Sequence, residues 1–389
     1  MTNPHTNIPS GYKPSPLGII PEDWEVKRLG DLCFDIFSGS NKTRIDSGKY
    51  TVYGSTGIIG KTDEYKYEGE RILVARVGAH AGQVSIASGK YDVSDNTIIV
   101  ENQDCYSLYF AYQYLIASNL NKMVFGSGQP LITAGMLKRM FVVYPPFEEQ
   151  LKINNVLQLW DIAIAKQTVL IEQLALRKRG LMQQLLTGKK RLKGFGGEWE
   201  KIKFKEIFQR KTQIVNDSSN VQVLSVTKEG IVSQKEYFNK EVASDDTSKY
   251  LLVEKGDLAM SGLNFWMGSC HILTQYEKGI ISPAYKVFSI RDGFSIEYIV
   301  NFVQSYNFKS SLLGSSVIGA SIVRRNLDLE MLEEWTYLLP SLPEQKAISD
   351  ILTYADKEIE IQKQKLAAMQ EQKKGLMQVL LTGERRIRK

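Results

Sequence analysis

The chain is poor in cysteine and histidine, with three of each in 389 residues. Cys33, Cys105 and Cys270 lie far apart in no pairing pattern. That argues against a disulfide or zinc framework and suits a reducing compartment. His5, His80 and His271 show neither metal-ligand nor triad spacing. No run approaches the roughly 18 apolar residues of a membrane span. The opening MTNPHTNIPSGYKPSP is polar and proline-rich, unlike a signal or transit peptide. A cytoplasmic protein without a membrane partner is expected.

Catalytic motifs are missing too. Gly54 to Gly60-Lys61-Thr62 imitates a phosphate loop, but five residues separate the glycines where four are needed. Tyr144-Pro145-Pro146-Phe147 imitates an amino-methyltransferase motif, yet tyrosine lacks the carbonyl acceptor that would hold a target amino group. Glu25-Val26-Lys27 has no suitably spaced acidic partner upstream, as a nuclease motif requires. No catalytic residue and no metal site is expected, so the chain reads as a binding protein.

What is present is a long repeat. Residues 149–188 and 344–383 align without a gap at an offset of 195, with 16 identities in 40 positions. Repeats set architecture and are weighed before any fold. Prolines precede each copy, acidic residues fill its first turn, and Leu-Leu-Thr-Gly ends it, which are helix start and stop signals. A seam of alternating 4 and 3 spacing runs along both. It includes Trp160, Ile164, Gln167 and Ile171 in the first copy, and Ala355, Ile359, Gln362 and Leu366 in the second. That period belongs to a left-handed coiled coil. An antiparallel pairing with Gln167 near Gln362 sets Trp160 against Met369 and Ala355 against Leu174. Each helix would span about 57–60 Å at 1.5 Å per residue. Gly180 and Gly375 fall inside the helices just off the seam, where glycine costs about 1 kcal/mol. They mark either a bend or the close approach of a docked partner.

Before each helix lies a globular segment of short strands, glycine turns and one or two helices, such as 106–121 and 295–312. This is an α+β pattern. The expected domains are a leader at 1–23, a module at 24–146, a helix at 147–188, a linker at 189–198, a second module at 199–342, and a helix with basic tail at 343–389. The segments match at their openings (Trp24 to Leu32 against Trp199 to Ile207) and at their ends, but little in between. Similar frames with unlike middles suit two modules that hold one pose and read different things. The middles supply Lys42, Arg44, Arg76, Ser127 and Gln129 in the first, and Asn264, Ser321, Arg324, Arg325 and Asn326 in the second. Arg, Lys, Gln and Asn pair with base edges, and serine suits phosphates, so these are the candidate DNA contacts. The net charge of +6 permits such a partner. Basic residues also collect at both helix ends, Arg177 to Arg179 and Lys373-Lys374 among them. They read either as a solvated, dipole-matched face or as contacts to phosphate or a partner.

At this point the chain resembles the specificity subunits of type I restriction–modification enzymes. The resemblance rests on Ile20-Pro21-Glu22-Asp23-Trp24-Glu25-Val26, on Gly196-Gly197-Glu198-Trp199-Glu200, and on the helix starts at 145–150 and 340–345. It also rests on the duplicated Gly-Leu-Met-Gln…Leu-Leu-Thr-Gly ends, and it covers essentially the whole chain. It implies two target-recognition domains, each reading half of an asymmetric split site on double-stranded DNA. The two helices would form an antiparallel coiled coil with internal pseudo-two-fold symmetry. It implies docking of two methyltransferase subunits, then motor–nuclease subunits. S-adenosylmethionine, ATP and Mg²⁺ would belong to those partners, with no cofactor in this chain. The competing readings are a coiled-coil scaffold that binds only proteins and a chain that fuses recognition to catalysis.

Overall fold

A computed structural model describes residues 8–42, 44–123, 131–215, 221–238, 247–262, 265–321 and 324–387, with the backbone alone at 318–321 and 324. The chain divides into two compact units, residues 1–168 with 364–389, and residues 169–363.

The first unit is built on a four-stranded antiparallel sheet in the order Cys33–Ser38, Thr97–Asn102, Arg71–Ala75, Val84–Ala87. Ile72, Val74, Ile98 and Val100 alternate along two of these strands and are fully buried, as the period-2 pattern requires. They face α1 (Leu108–Ala117), whose Phe110, Ala111 and Leu115 are also buried. A short helix α2 (Ala134–Arg139) is capped by Thr133, whose side chain accepts from Met136 N. A second sheet runs Gly57–Thr62, Tyr50–Gly54, Lys90–Val93, Tyr67–Glu68. The ribbon of Glu25–Arg28 with Phe141–Tyr144 joins the two ends of the module. The chain then enters α3 (Phe147–Leu185).

The second unit repeats the main sheet in the same order: Phe208–Lys211, Tyr285–Ile290, Leu258–Ser261, Cys270–Ile272. It repeats the closing ribbon as Glu200–Lys203 with Thr336–Leu339. The helix expected over 295–312 is two helices, α4 (Ile296–Phe302) and α5 (Tyr306–Gly314). Ser305 causes the break, its side chain accepting from Phe308 N and starting a new helix. Helix α6 (Leu329–Glu333) matches α2, and α7 (Leu342–Leu381) matches α3. A hairpin of Ser316–Ser321 with Arg324–Leu327 is particular to this unit among the described residues.

Each core closes on pieces of both long helices. In the first unit Ile153 and Leu157 from the start of α3, and Met377, Leu380 and Leu381 from the end of α7, pack with Trp24, Leu29 and Phe110. In the second, Ile348, Leu352, Leu185 and Leu186 play those parts around Phe204 and Phe302. The segment expected as a leader holds a hairpin, Tyr12–Ser15 with Gly18–Pro21, whose Ile20 joins the first core. The stop glycines Gly188 and Gly383 adopt φ of 69° and 75°. A Cβ at Gly383 would stand 2.4 Å from Pro21, so glycine is needed there for space as well as for conformation.

Candidate nucleic-acid interface and helix seam

Glu149 and Glu344, read from sequence as dipole-matched carboxylates, do more. Glu149 accepts the Trp24 indole N–H at 2.9 Å, and Arg386 grips it through Nε at 2.5 Å and Nη2 at 2.6 Å. The same guanidinium donates twice to Asp23, at 2.8 Å each. These bonds hold the Asp23 carboxyl below its usual range. In the second unit Glu344 accepts from Trp199 at 3.3 Å and from Arg191 at 2.7 and 2.8 Å. Arg191 and Arg386 stand 195 residues apart, so the repeat carries a Trp–Glu–Arg clamp in each unit. Here the basic helix ends serve the fold.

The next residue of each repeat is as specific. Gln150 accepts from Ser107 N at 2.8 Å and donates to Pro145 O at 2.9 Å. Gln345 accepts from Ser295 N at 3.0 Å and donates to Pro340 O at 2.9 Å. One glutamine thus ties the proline turn to the start of the module's helix in both units.

Within each unit the helix segments run antiparallel, with seam residues inward. Trp160 and Met369 line one apolar cleft in the first unit. Leu174 and Ala355 are both buried in the second. Ile164, Ile171, Ile359 and Leu366 are half-buried, as is Gln362, while Gln167 is buried. The two glutamines fall in different units. The seam lysines are paired: Lys373 with Asp161 in the first unit, and Lys178 with Asp356 in the second, both at 2.6 Å. Lysine and aspartate occupy equivalent repeat positions in the two pairs, which is how a polar seam group fixes register. Gly180 and Gly375 lie inside unbroken helices, and an added Cβ would meet nothing within 4 Å.

The candidate reading residues do not form one cluster. Lys42 lines a cleft of about 520 Å³ with Ser40, Asn41, Thr62, Lys66 and Asp92, and exposed Arg44 lies beside Gly60. Lys66, which reaches Ser40 Oγ at 2.8 Å, was not among the residues expected from sequence. Its alternation with Tyr65 and Tyr67 is the signal that marks it. Arg76 is half-buried and donates to Asp95 O at 3.3 Å. Ser127, Gln129 and Asn264 lie outside the described residues. Ser321 and Arg324 are strand residues of the second unit's hairpin. Arg325 packs over the Trp266 ring at 5.5 Å and donates to Ser316 Oγ at 3.1 Å, while Asn326 is exposed. His271 is held at both ring nitrogens, by Lys228 O at 3.2 Å and Gln304 Nε2 at 3.1 Å, which makes it a packed histidine. Among the described residues no group of three or more His, Cys, Asp or Glu is placed to hold a metal. Among them, too, no helix is long and apolar enough to cross a membrane.

Two similar modules with unlike loops, each clamped to a long helix, define a two-headed recognition protein. Residues 21–175 match the family described as "Type I restriction modification DNA specificity domain". The chain is 26% identical to the type I restriction enzyme MjaVIII specificity subunit of Methanocaldococcus jannaschii, covering 95% of this chain and 94% of that one. It is also 26% identical to the putative MjaX specificity subunit of the same organism, over 97% of both. The S subunit structure from M. genitalium has the same fold, with a TM-score of 0.53 at 17% identity, covering 92% of this chain and 96% of that one. The family match over residues 21–175 and the full-length relatives together support a type I restriction–modification specificity subunit, whose role is DNA recognition. Such a subunit associates with DNA and with the other subunits of its system.

Proposed function

We propose that each module reads one half of a bipartite, asymmetric site on double-stranded DNA, while the helices set the unread gap between the halves. The shared strand order with unlike loops carries this reading. Two equivalent frames present two surfaces, so the site is not bound to be a palindrome as it is for a symmetric dimer. Two methyltransferase subunits dock on the helices. Exposed apolar side chains on these helices support this: Leu159 and Ile162 in the first unit, and Leu170, Leu176, Tyr354 and Ile361 in the second. The open surfaces at Gly180 and Gly375 suit the same partners. Motor–nuclease subunits join that core. The chain itself is non-catalytic and cytoplasmic, and S-adenosylmethionine, ATP and Mg²⁺ serve its partners. The test is to express the chain with its methyltransferase subunit and map methylated adenines in the host genome. Two unlike half-sites at a fixed gap are expected. A single continuous palindrome, or no DNA binding with protein partners still bound, overturns the reading in favour of a scaffold.

A further inference from the structure

Within the first unit, Asp161 sits where three elements meet. Tyr109 and Gln113 stand one turn apart on α1 and so share a face. The Tyr109 hydroxyl donates to Asp161 Oδ2. Gln113 Nε2 donates to the same oxygen at 3.0 Å and to the Tyr109 hydroxyl oxygen at 2.8 Å. From α7, Lys373 Nζ donates to Asp161 Oδ1 at 2.6 Å and to Gln113 Oε1 at 3.4 Å. Gln113 is fully buried, and both ends of its amide are engaged. Burial and the neighbouring carboxylate push the Tyr109 hydroxyl well above its ordinary pKa, so it remains a donor.

The second unit has no such brace among its described residues. The strands Thr97–Asn102 and Tyr285–Ile290, with the helices that follow, correspond at an offset of 188. Glu297 and Asn301 then stand where Tyr109 and Gln113 stand in the first unit. Glu297 accepts from Ser295 Oγ at 2.8 Å, and Asn301 Nδ2 donates to Glu297 O at 3.0 Å. Both bonds stay at their own helix. Asp356, the counterpart of Asp161, is paired with Lys178.

Resting on the bipartite reading above, we propose that the Tyr109–Gln113–Asp161–Lys373 network fixes the pose of the first module on its helices and so helps determine which gap length the protein accepts. One base-pair step moves a half-site about 3.4 Å along the duplex and about 34° around it. A module that rocks on its support tolerates such a step, whereas a braced one does not. The apolar contacts of Ile153, Leu157, Met377 and Leu380 hold the module down but favour no direction. Hydrogen bonds weaken steeply with angle, so this network resists rotation. Tyr109 and Gln113 are positioning residues that act through the module and touch no base.

The test uses the full chain assembled with its methyltransferase partners. Binding is measured on duplexes that carry both half-sites at the cognate gap and at gaps one base pair shorter and longer. Tyr109→Phe and Gln113→Leu are expected to cut discrimination between these gaps about fivefold or more, with base preferences inside each half-site retained. Asn301→Leu, at the second unit's counterpart, is expected to leave gap discrimination intact. Unchanged discrimination in Tyr109→Phe, or equal loss of affinity at every gap, overturns the proposal. Tyr109→Phe keeps the ring's packing, so it decides the matter even if Gln113→Leu does not fold. A wild-type complex with no sequence preference at all sinks the bipartite reading itself, a different outcome.

Discussion

Trp24 donates its indole N–H to Glu149 across 2.9 Å, although 125 residues separate them in the chain. The contact joins the first residue of a module to the first turn of its helix, and Arg386 completes it from the far end of the chain. The second unit repeats it with Trp199, Glu344 and Arg191. Glu344 is only 2% exposed. Arg191→Ala leaves that buried carboxylate with one indole donor and is expected to destabilise the second unit. Hydrogen exchange should show lost protection within 169–363 and little change elsewhere. Equal loss in both units would show that the clamps do not act locally.

Acid should weaken the two units for different reasons. Asp23 is held below its ordinary value of 3.8 by Arg386. Its contribution is therefore complete above that value and fades as pH falls through the lowered one. His271 is pushed below its ordinary 6.5, chiefly by burial. The unfolded chain then takes up the proton first, and stability declines as pH falls below 6.5. Protonation would also set a ring N–H against the Gln304 amide. His271→Gln should flatten the fall in melting temperature between about pH 6.5 and 5, whereas Asp23→Asn should lower the melting temperature evenly above about pH 4 and flatten the curve only below it. A wild-type curve that is flat from pH 7 to 5 contradicts the histidine assignment.

Lys42 is exposed at the mouth of its cleft. As a phosphate contact, its replacement by alanine should weaken binding alike on all DNA sequences and lower the salt slope by about one. A changed base preference with the slope intact would make it a base reader.

Arg324 and Arg325 are neighbours on one strand, yet their substitutions should differ. Arg324→Ala is expected to alter base preference in the second module's half-site only. Uniform loss with a smaller salt slope would recast it as a phosphate contact. Arg325 packs over Trp266 and bonds Ser316, so Arg325→Ala should also loosen the hairpin. Proteolysis within 316–327 at native temperature would register that effect, and resistance equal to wild type would count against it.

The helices offer a direct change of gap. Leu186 is buried in the second core, so an insertion after it would disrupt packing. Seven residues inserted after Thr168 and seven after Lys363 preserve the seam period and add about 10 Å. The gap should widen by about three base pairs with both half-sites unchanged. Methylome mapping reads the outcome, and altered half-sites at the old gap would refute the spacing role.

Much of this was legible because repetition exposes it. The seam period placed both helices to within a few residues, and the closing glycines were recognisable from the left-handed turn they make. The paired frames showed in the Trp24 and Trp199 openings. The partners of Glu149 and Glu344 did not show, because a clamp between residues 24, 149 and 386 has no local signature. The split at Ser305 was hidden because an apolar run with the right period continues through it. Gln113 looked like any polar residue in a helix, and only the meeting of α1, α3 and α7 gives it a role. The candidate base contacts are the least legible, since lysine and arginine in loops have the same composition whether they meet DNA, solvent or a neighbouring ring.

The first unit draws its core from both ends of the polypeptide, whereas the second is one uninterrupted stretch. Synthesis proceeds from the N-terminus at about 5–20 residues per second. Most of residues 169–363 therefore leaves the ribosome before Met377, Leu380 and Arg386 do. The head that is translated first is completed last, and a nascent chain arrested short of its final helix turns would carry one finished head and one open one.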